Sequence, residues 1–312
     1  MQQATTTGSG KYEALLERCR SLTPVPTAVA YPCEESSLAG PVQAAKYKLI
    51  VPILVGPAAK INETARAAGI DLTGLEIIDV PDARAAAERA VALVREGRAE
   101  VLMKGSLHTD ELLSAVVSRE KGLRTGRRIS HAFLMDVPTY HKVLVVTDGA
   151  INIAPTLEDK VDICQNAIDL ARSLGVKQPK VAVLAAVETV NSKMPATLDA
   201  AALCKMADRG QITGGLVDGP LAFDNAISKE AATTKGIKSE VAGDPDILLA
   251  PDLEAANILA KQLSFLANAD SAGLVLGARV PIVLTSRADS VRSRIASCAV
   301  AAQVAHARRA AK

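Results

Sequence analysis

The sequence predicts an α/β protein of two domains, and three observations carry that prediction. From about Thr27 onward, short aliphatic runs alternate with stretches of helical period, the succession expected of parallel strands covered by helices. Aromatics are scarce, with four Tyr, three Phe and no Trp. The core must therefore be built from Ala, Val, Leu and Ile, which suits buried parallel strands. A length of 312 residues exceeds one ordinary domain and fits two that share an interface.

Strand-like runs fall at Thr27–Tyr31, Pro52–Val55, Glu76–Val80 and Glu100–Met103, with helical stretches at Val42–Leu49, Ala58–Ala68 and Ala83–Glu96 between them. Gly69 and Gly97 stand where helices should end. A Lys-Gly-Ser turn then leads into a helix over Asp110–Arg119. The middle of the chain changes character: Arg128–Asp136 and Lys142–Thr147 read as two strands joined through Val137–Pro138–Thr139, and hence as an antiparallel pair. Alternation resumes with helix Leu157–Leu174, strand Lys180–Ala185, helix Ala196–Asp208, strand Ile212–Val217, strand Ile247–Leu249 and helix Asp252–Leu266. Strands near Gly273–Leu276 and Val280–Leu284 precede a last Ala/Arg-rich helix through His306. A mixed, mostly parallel sheet is expected.

Charge excludes several classes of function. With 36 basic and 34 acidic residues the net charge is +2, so no field of one sign invites nucleic acid or an acidic membrane. The longest aliphatic runs are too short to span a bilayer. Met1–Gly10 is polar and Thr/Gly-rich, unlike a signal peptide, and reads as a short tail, so a cytoplasmic protein is expected. Five scattered cysteines never form Cys-x-x-Cys, which suggests reduced thiols; Cys164, Cys204 and Cys298 sit in apolar helical surroundings and read as buried hydrophobes. Histidines 108, 131, 141 and 306 show no metal-ligand spacing, so no metal is expected. No Gly-x-Gly-x-x-Gly follows a strand and no Gly-x-Ser-x-Gly occurs.

Three polar turns after strands could carry chemistry. Thr285-Ser286-Arg287-Ala288-Asp289-Ser290 runs from an aliphatic strand into the last helix. Helix N-termini attract anions, and an Arg beside one adds a planar fork for phosphate or carboxylate. Ser286 could be both N-cap and ligand contact; a plain cap with Arg287 paired to Asp289 is an equal alternative on these residues alone. Lys104-Gly105-Ser106-Leu107-His108-Thr109 is similar: Lys104 ends a buried strand, where an ammonium needs an anion, and Gly105 permits close backbone approach. Ser106, His108 and Thr109 add polar contacts, although a helix-entry role serves His108 as well. In Thr147–Pro155, Asp148 and Asn152 are ligand candidates or turn formers.

Five segments in order carry a resemblance: Met103–Asp110, Thr147–Pro155, Gly219-Pro220-Leu221-Ala222-Phe223-Asp224-Asn225-Ala226, Pro251–Asn257 and Pro281–Ser290. Together they are similar to the motifs of the phosphate acetyl/butyryltransferase family, over roughly Thr27 to Ala305. The pattern is most like the acyltransferase part of proteins that fuse it to an enoyl-CoA hydratase, with no hydratase segment in this sequence. The resemblance implies a two-domain isocitrate/isopropylmalate dehydrogenase-like fold with an interdomain cleft. It implies a first domain of residues 1–127 plus 273–312, a second of 128–272, and a homodimer. The implied reaction is reversible: acyl-CoA and phosphate give acyl phosphate and coenzyme A. Coenzyme A is then a substrate, and no permanently bound cofactor is expected.

In that reaction a thiolate attacks the acyl phosphate carbonyl directly. The resemblance gives Ser286 and Arg287 the developing oxyanion or the phosphate, and it gives phosphate oxygens to the Lys104–Thr109 turn. Asp148, Asn152 and Asp224 are carried as further substrate contacts. Two positions depart from the acetyltransferase branch: its thiol base stands six residues after the motif Arg, where this chain has Ser293, and its Arg in the helix after the first turn is Leu113 here. Asp289 is the candidate base. The alternatives are phosphate butyryltransferase with a longer acyl chain, a dehydrogenase of the same fold, and a non-catalytic acyl-CoA binding relative. If Arg287 meets transition-state charge, Arg287→Lys should lower turnover more than binding.

Overall fold

The structure, a computed structural model, describes residues 10–286 and 289–311. In chain order the elements are α1 (Lys11–Cys19), β1 (Val25–Ala30), α2 (Glu35–Lys46), β2 (Ile50–Gly56), α3 (Ala58–Ala68), β3 (Glu76–Asp79), α4 (Ala83–Arg95), β4 (Val101–Lys104) and α5 (Thr109–Val117). There follow β5 (Ser130–Asp136), β6 (Leu144–Thr147), α6 (Leu157–Ser173), β7 (Lys180–Leu184), α7 (Pro195–Asp208), β8 (Leu216–Leu221) and the short α8 (Phe223–Ile227) and α9 (Lys229–Thr234). The chain ends with β9 (Ile247–Leu249), α10 (Leu253–Leu266), β10 (Asp270–Leu276), β11 (Ile282–Val283) and α11 (Val291–Ala310).

Among the described residues all strands join one eleven-stranded sheet, ordered β3-β2-β1-β4-β11-β10-β5-β6-β9-β7-β8. The outer groups are parallel within themselves, while β11–β10, β10–β5 and β5–β6 are antiparallel. Three successive reversals leave β6, β9, β7 and β8 running opposite to β1, β2, β4 and β11. The antiparallel pair expected around Val137–Thr139 is therefore present, and the second turning point is β10. The boundary expected at 272/273 falls within β10.

Alternate strand residues face opposite layers. Val29, Met103 and Val283 join one cluster with Ile295, Cys298 and Ala299 of α11. Ala30, Leu102 and Ile282 join another with Ala90, Leu93, Leu112 and Val116 of α4 and α5. The second half has its own cluster, which includes Val146, Leu248 and Ala256.

Three readings need correction. The helix expected to begin at Val42 begins at Glu35, where Glu34 and Ser37 form a capping box, and Gly40 and Pro41 lie inside it. Pro41 forfeits one i→i−4 bond, and Gly40 is there for contact: a Cβ would come within 2.8 Å of Arg294 Cδ. The strand expected at Ile212–Val217 starts at Leu216, because Gly214 at φ 82° and Gly215, pressed on the Pro179 carbonyl, form the entry turn. Pro220 is tolerated because β8 is an edge strand. Ser286 is not the cap of the last helix. Ser290 is, accepting from the Ser293 N–H.

Candidate functional site

β4 and β11 lie side by side and parallel, with Leu102 opposite Ile282 and Met103 opposite Val283. Their carboxyl ends therefore release Lys104 and Thr285–Ser286 next to each other, and β1 on the other side of β4 releases Tyr31 there. The two turns singled out in the sequence meet because β11, at Ile282–Val283, is inserted beside β4, at Val101–Lys104.

Backbone contacts lock the first turn to β1. The Gly105 N–H donates to the Ala30 carbonyl and the Ser106 N–H to the Tyr31 carbonyl, each at 2.8 Å. A Cβ on Gly105 would overlap both carbonyl oxygens, so only glycine fits. Ser106 Oγ donates to the Tyr31 carbonyl at 2.9 Å and accepts from the Cys33 N–H at 3.2 Å. Tyr31, at φ 55°, turns its carbonyl toward this junction. Gly105 and Ser106 thus spend these groups on holding β1 against β4. Lys104 remains the turn's charged feature: it is 5% exposed and donates to the Gly105 carbonyl at 3.2 Å. His108 is exposed and Thr109 opens α5; the Glu111 carboxylate accepts from the His108 N–H at 2.8 Å.

The second turn is braced from beneath. Ser286 is exposed, and its N–H donates to Asp289 Oδ2 at 2.6 Å, while the Asp289 N–H returns to the Ser286 carbonyl at 3.2 Å. Arg287 lies outside the described residues. Arg294, one turn into α11, donates from Nη1 to Thr285 Oγ1 at 2.7 Å and from Nη2 to the Ser286 carbonyl at 2.9 Å. Burial raises the Asp289 carboxyl above its ordinary value; the Ser286 N–H, Arg294 and Lys104 pull it back. Lys104, Asp289 and Arg294 therefore share one electrostatic neighbourhood. Ser293, standing where a base was expected, donates its N–H to Ser290 Oγ at 3.1 Å and serves the cap.

Asp148 and Asn152 leave β6, three strands from β11, and His131 on β5 between those strands faces both Asp148 and the Leu284 carbonyl. Thr147 pairs with Ala132, Ala132 with Leu274, and Leu274 with Val283. Because β6 runs opposite to β11, the chain beyond Thr147 heads away from the end where Thr285 emerges. Asp148 is 3% exposed and accepts from the N–H groups of Ala150, Ile151 and Asn152 at 3.0–3.1 Å, and from the Asn152 side chain. Asn152 also donates to the Ile129 carbonyl and accepts from Arg128 Nε at 2.7 Å. Both residues are occupied in tying this loop to the start of β5. Asp224 follows β8, the outermost strand, and pairs with Lys235 at 3.2 Å.

Two residues were missed by sequence reasoning. Arg294 occupies an i+3 position on the apolar stripe of Val291, Ile295 and Cys298, and a charge inside such a stripe was the available signal. His131 on β5 is fully buried, with its ring 4.3 Å from that of Phe133. Neither ring nitrogen has a hydrogen-bond partner among the described residues. Burial pushes its pKa down to about 4 against the opposing pull of Asp148 and the Leu284 carbonyl. No group of three or more His, Cys, Asp or Glu among the described residues could hold a metal. Burial pushes the thiols of Cys164, Cys204 and Cys298 up to about 12, far from the range of a thiolate nucleophile.

Fold and site together define an α/β enzyme with a dehydrogenase-like sheet and cations gathered where β4 and β11 end. The 4-hydroxythreonine-4-phosphate dehydrogenase of Klebsiella pneumoniae superposes with a TM-score of 0.54 at 13% identity, over 91% of this chain and 100% of that one, a likeness of fold alone. The chain belongs to the family described as "Phosphate acetyl/butaryl transferase", which it matches over residues 82–302. It is 62% identical to a phosphate acetyltransferase of Rhizobium meliloti, across 97% of this chain and 96% of that protein. It is 42% identical to a phosphate butyryltransferase of Clostridium beijerinckii, across 95% and 98%. A branched-chain phosphotransacylase from Enterococcus faecalis superposes with a TM-score of 0.79 at 30% identity, over 90% and 99% of the two chains.

Proposed function

We propose that this protein transfers short acyl groups between coenzyme A and inorganic phosphate, with acetyl as the first expected group. The observation that carries the reading is the parallel pairing of β4 with β11. It gathers Lys104, Ser286 and Asp289, residues of two family motifs nearly two hundred positions apart, into one neighbourhood.

In the acyl phosphate direction, Asp289 takes the proton of the coenzyme A thiol. Sulfur then bonds to the acyl carbon, the bond from that carbon to the bridging oxygen breaks, and phosphate leaves with the electron pair. Asp289 suits a base because burial favours its proton-bound form while two cations keep the ionised form within reach. Ser286, exposed above the braced turn, donates to the carbonyl oxygen as charge builds there. Lys104 meets phosphate oxygens, and Arg287 joins it by analogy with the family motif. No acyl-enzyme is needed, since holding both substrates in one cleft supplies much of the rate.

We read residues 1–127 with 273–312 as one unit and 128–272 as the other, with the cleft between them, and the protein as cytoplasmic, where coenzyme A is at hand. No described helix is long and apolar enough to cross a membrane. A homodimer completes the proposal: Ile258, Phe265 and Leu266 of α10 are 65%, 76% and 78% exposed, an apolar stretch suited to a second copy. A Phe265→Lys variant running as a monomer in sedimentation, against a wild-type dimer, supports that face.

Longer chains are the second reading, favoured by the butyryl and branched-chain names among the relatives. Thiol release from acetyl-CoA and butyryl-CoA, with and without phosphate, tests both. Phosphate-dependent release from acetyl-CoA is expected. Release that needs no phosphate, or none from any short acyl-CoA, sinks the proposal.

A further inference from the structure

Arg294 is 2% exposed and carries a charge into the layer between α2 and α11. Its stem crosses Gly40, where any Cβ would press on Cδ at 2.8 Å and Cβ at 3.1 Å. Its Nε–H has no partner among the described residues. A buried guanidinium with an unsatisfied donor is a poor stability device, since an apolar side chain of similar volume serves a core as well or better. What Arg294 does reach is specific: Thr285 Oγ1 and the Ser286 carbonyl, two consecutive residues of the candidate site.

We infer that Arg294 is a positioning residue of the acyl-transfer site, which fixes the Thr285–Ser286 backbone from below and sets the charge that Asp289 faces. The inference rests on the proposed function and extends it to a side chain that need not touch substrate. Two bonds from one planar fork fix both the height and the tilt of the turn, which a single bond could not. The groups facing Asp289 are Arg294, Lys104 and the Ser286 amide. Those facing Arg294 are Asp289, Cys298 and Glu34, and the Cys298 thiol is neutral at ordinary pH. Removing the Arg294 charge leaves only the Ser286 amide and Lys104 to oppose burial, so Asp289 should hold its proton to higher pH.

The test uses the full chain assayed from acetyl phosphate and coenzyme A, the direction in which Asp289 is the base, with pH profiles of kcat for wild type, Arg294→Met, Arg294→Lys and Asp289→Asn. For Arg294→Met the acid limb should move up by about one pH unit, with kcat at its plateau reduced about 10- to 100-fold and KM changed far less. Arg294→Lys should restore the limb but not the full kcat, because an ammonium keeps the charge and loses the fork. An unmoved limb in Arg294→Met overturns the inference, whatever its melting temperature. A limb that survives in Asp289→Asn removes Asp289 as the base, a failure of the function reading that is separate from this one. Should Arg294→Met not fold, Thr285→Val decides: a kcat reduced at least about fivefold with KM retained, and recovered in Thr285→Ser, supports the brace, whereas wild-type kcat in Thr285→Val refutes it.

Discussion

The turn after β11 and the loop after β6 look alike in sequence. Each follows an aliphatic strand, and each offers a carboxylate with hydroxyl or amide neighbours. In the folded chain they differ in where their polar atoms are used. Asp148 accepts four hydrogen bonds from its own loop, and Asn152 closes that loop onto β5. At the other turn, Asp289 accepts from Ser286, and cations from β4 and α11 stand against it. A polar loop at a strand end becomes a site when its charges come from different elements and exceed what the loop itself can satisfy.

Four experiments break or sharpen that contrast. The largest effect belongs to Lys104: Lys104→Met should lower kcat/KM by about 100- to 1,000-fold with little change in melting temperature, since the loss falls on transition-state charge. Steady-state kinetics and a thermal melt check both halves of this statement.

Asp148→Ala should show the reverse. Three backbone N–H groups lose their acceptor, at a cost of about 3 kcal/mol in denaturant unfolding, while activity per folded molecule stays within about threefold. A hundredfold loss of activity in a stable Asp148→Ala protein would join the two loops into one site.

His131 supplies a pH signature. An unfolded chain protonates this imidazole below about 6.5, whereas the fold resists until about 4. Acid therefore favours the unfolded state, and stability should fall between those values by up to about 3 kcal/mol. His131→Gln should flatten that part of the stability curve, as followed by urea titrations at stepped pH. Least of all, Asp224→Asn should leave the melting temperature within about a degree, because an exposed ion pair contributes little.

Much of the fold was legible where local signals agreed. Residues 58–68 and 83–95 show an apolar period closed by glycine, and both helices formed as expected. α1 was legible from the helical spacing of Tyr12, Leu15, Leu16 and Cys19, which follows directly on the polar stretch read as a tail. α2 was hidden because Gly40 and Pro41 speak locally for a break, and only the stem of Arg294, far along the chain, gives Gly40 a reason. For the site, residue types announced both turns after strands. Strand direction did not appear in any local pattern, and it is direction that separates Asp148 from Ser286. Arg294 needed the register of α11 against α2, which periodicity marks only as an anomaly.

The placing of β11 has a consequence for how the molecule is made. β4 lies between β1 and β11, and β11 emerges some 180 residues after β4. A ribosome therefore releases a first part whose sheet has an open edge along Val101–Lys104, exposed until β11 has emerged. Such an edge invites pairing with other chains. Truncations that end before Ile282 should accumulate as aggregates rather than as a smaller folded unit. The Lys104 turn would gain its Ser286 neighbour only after residues 282–286 have followed.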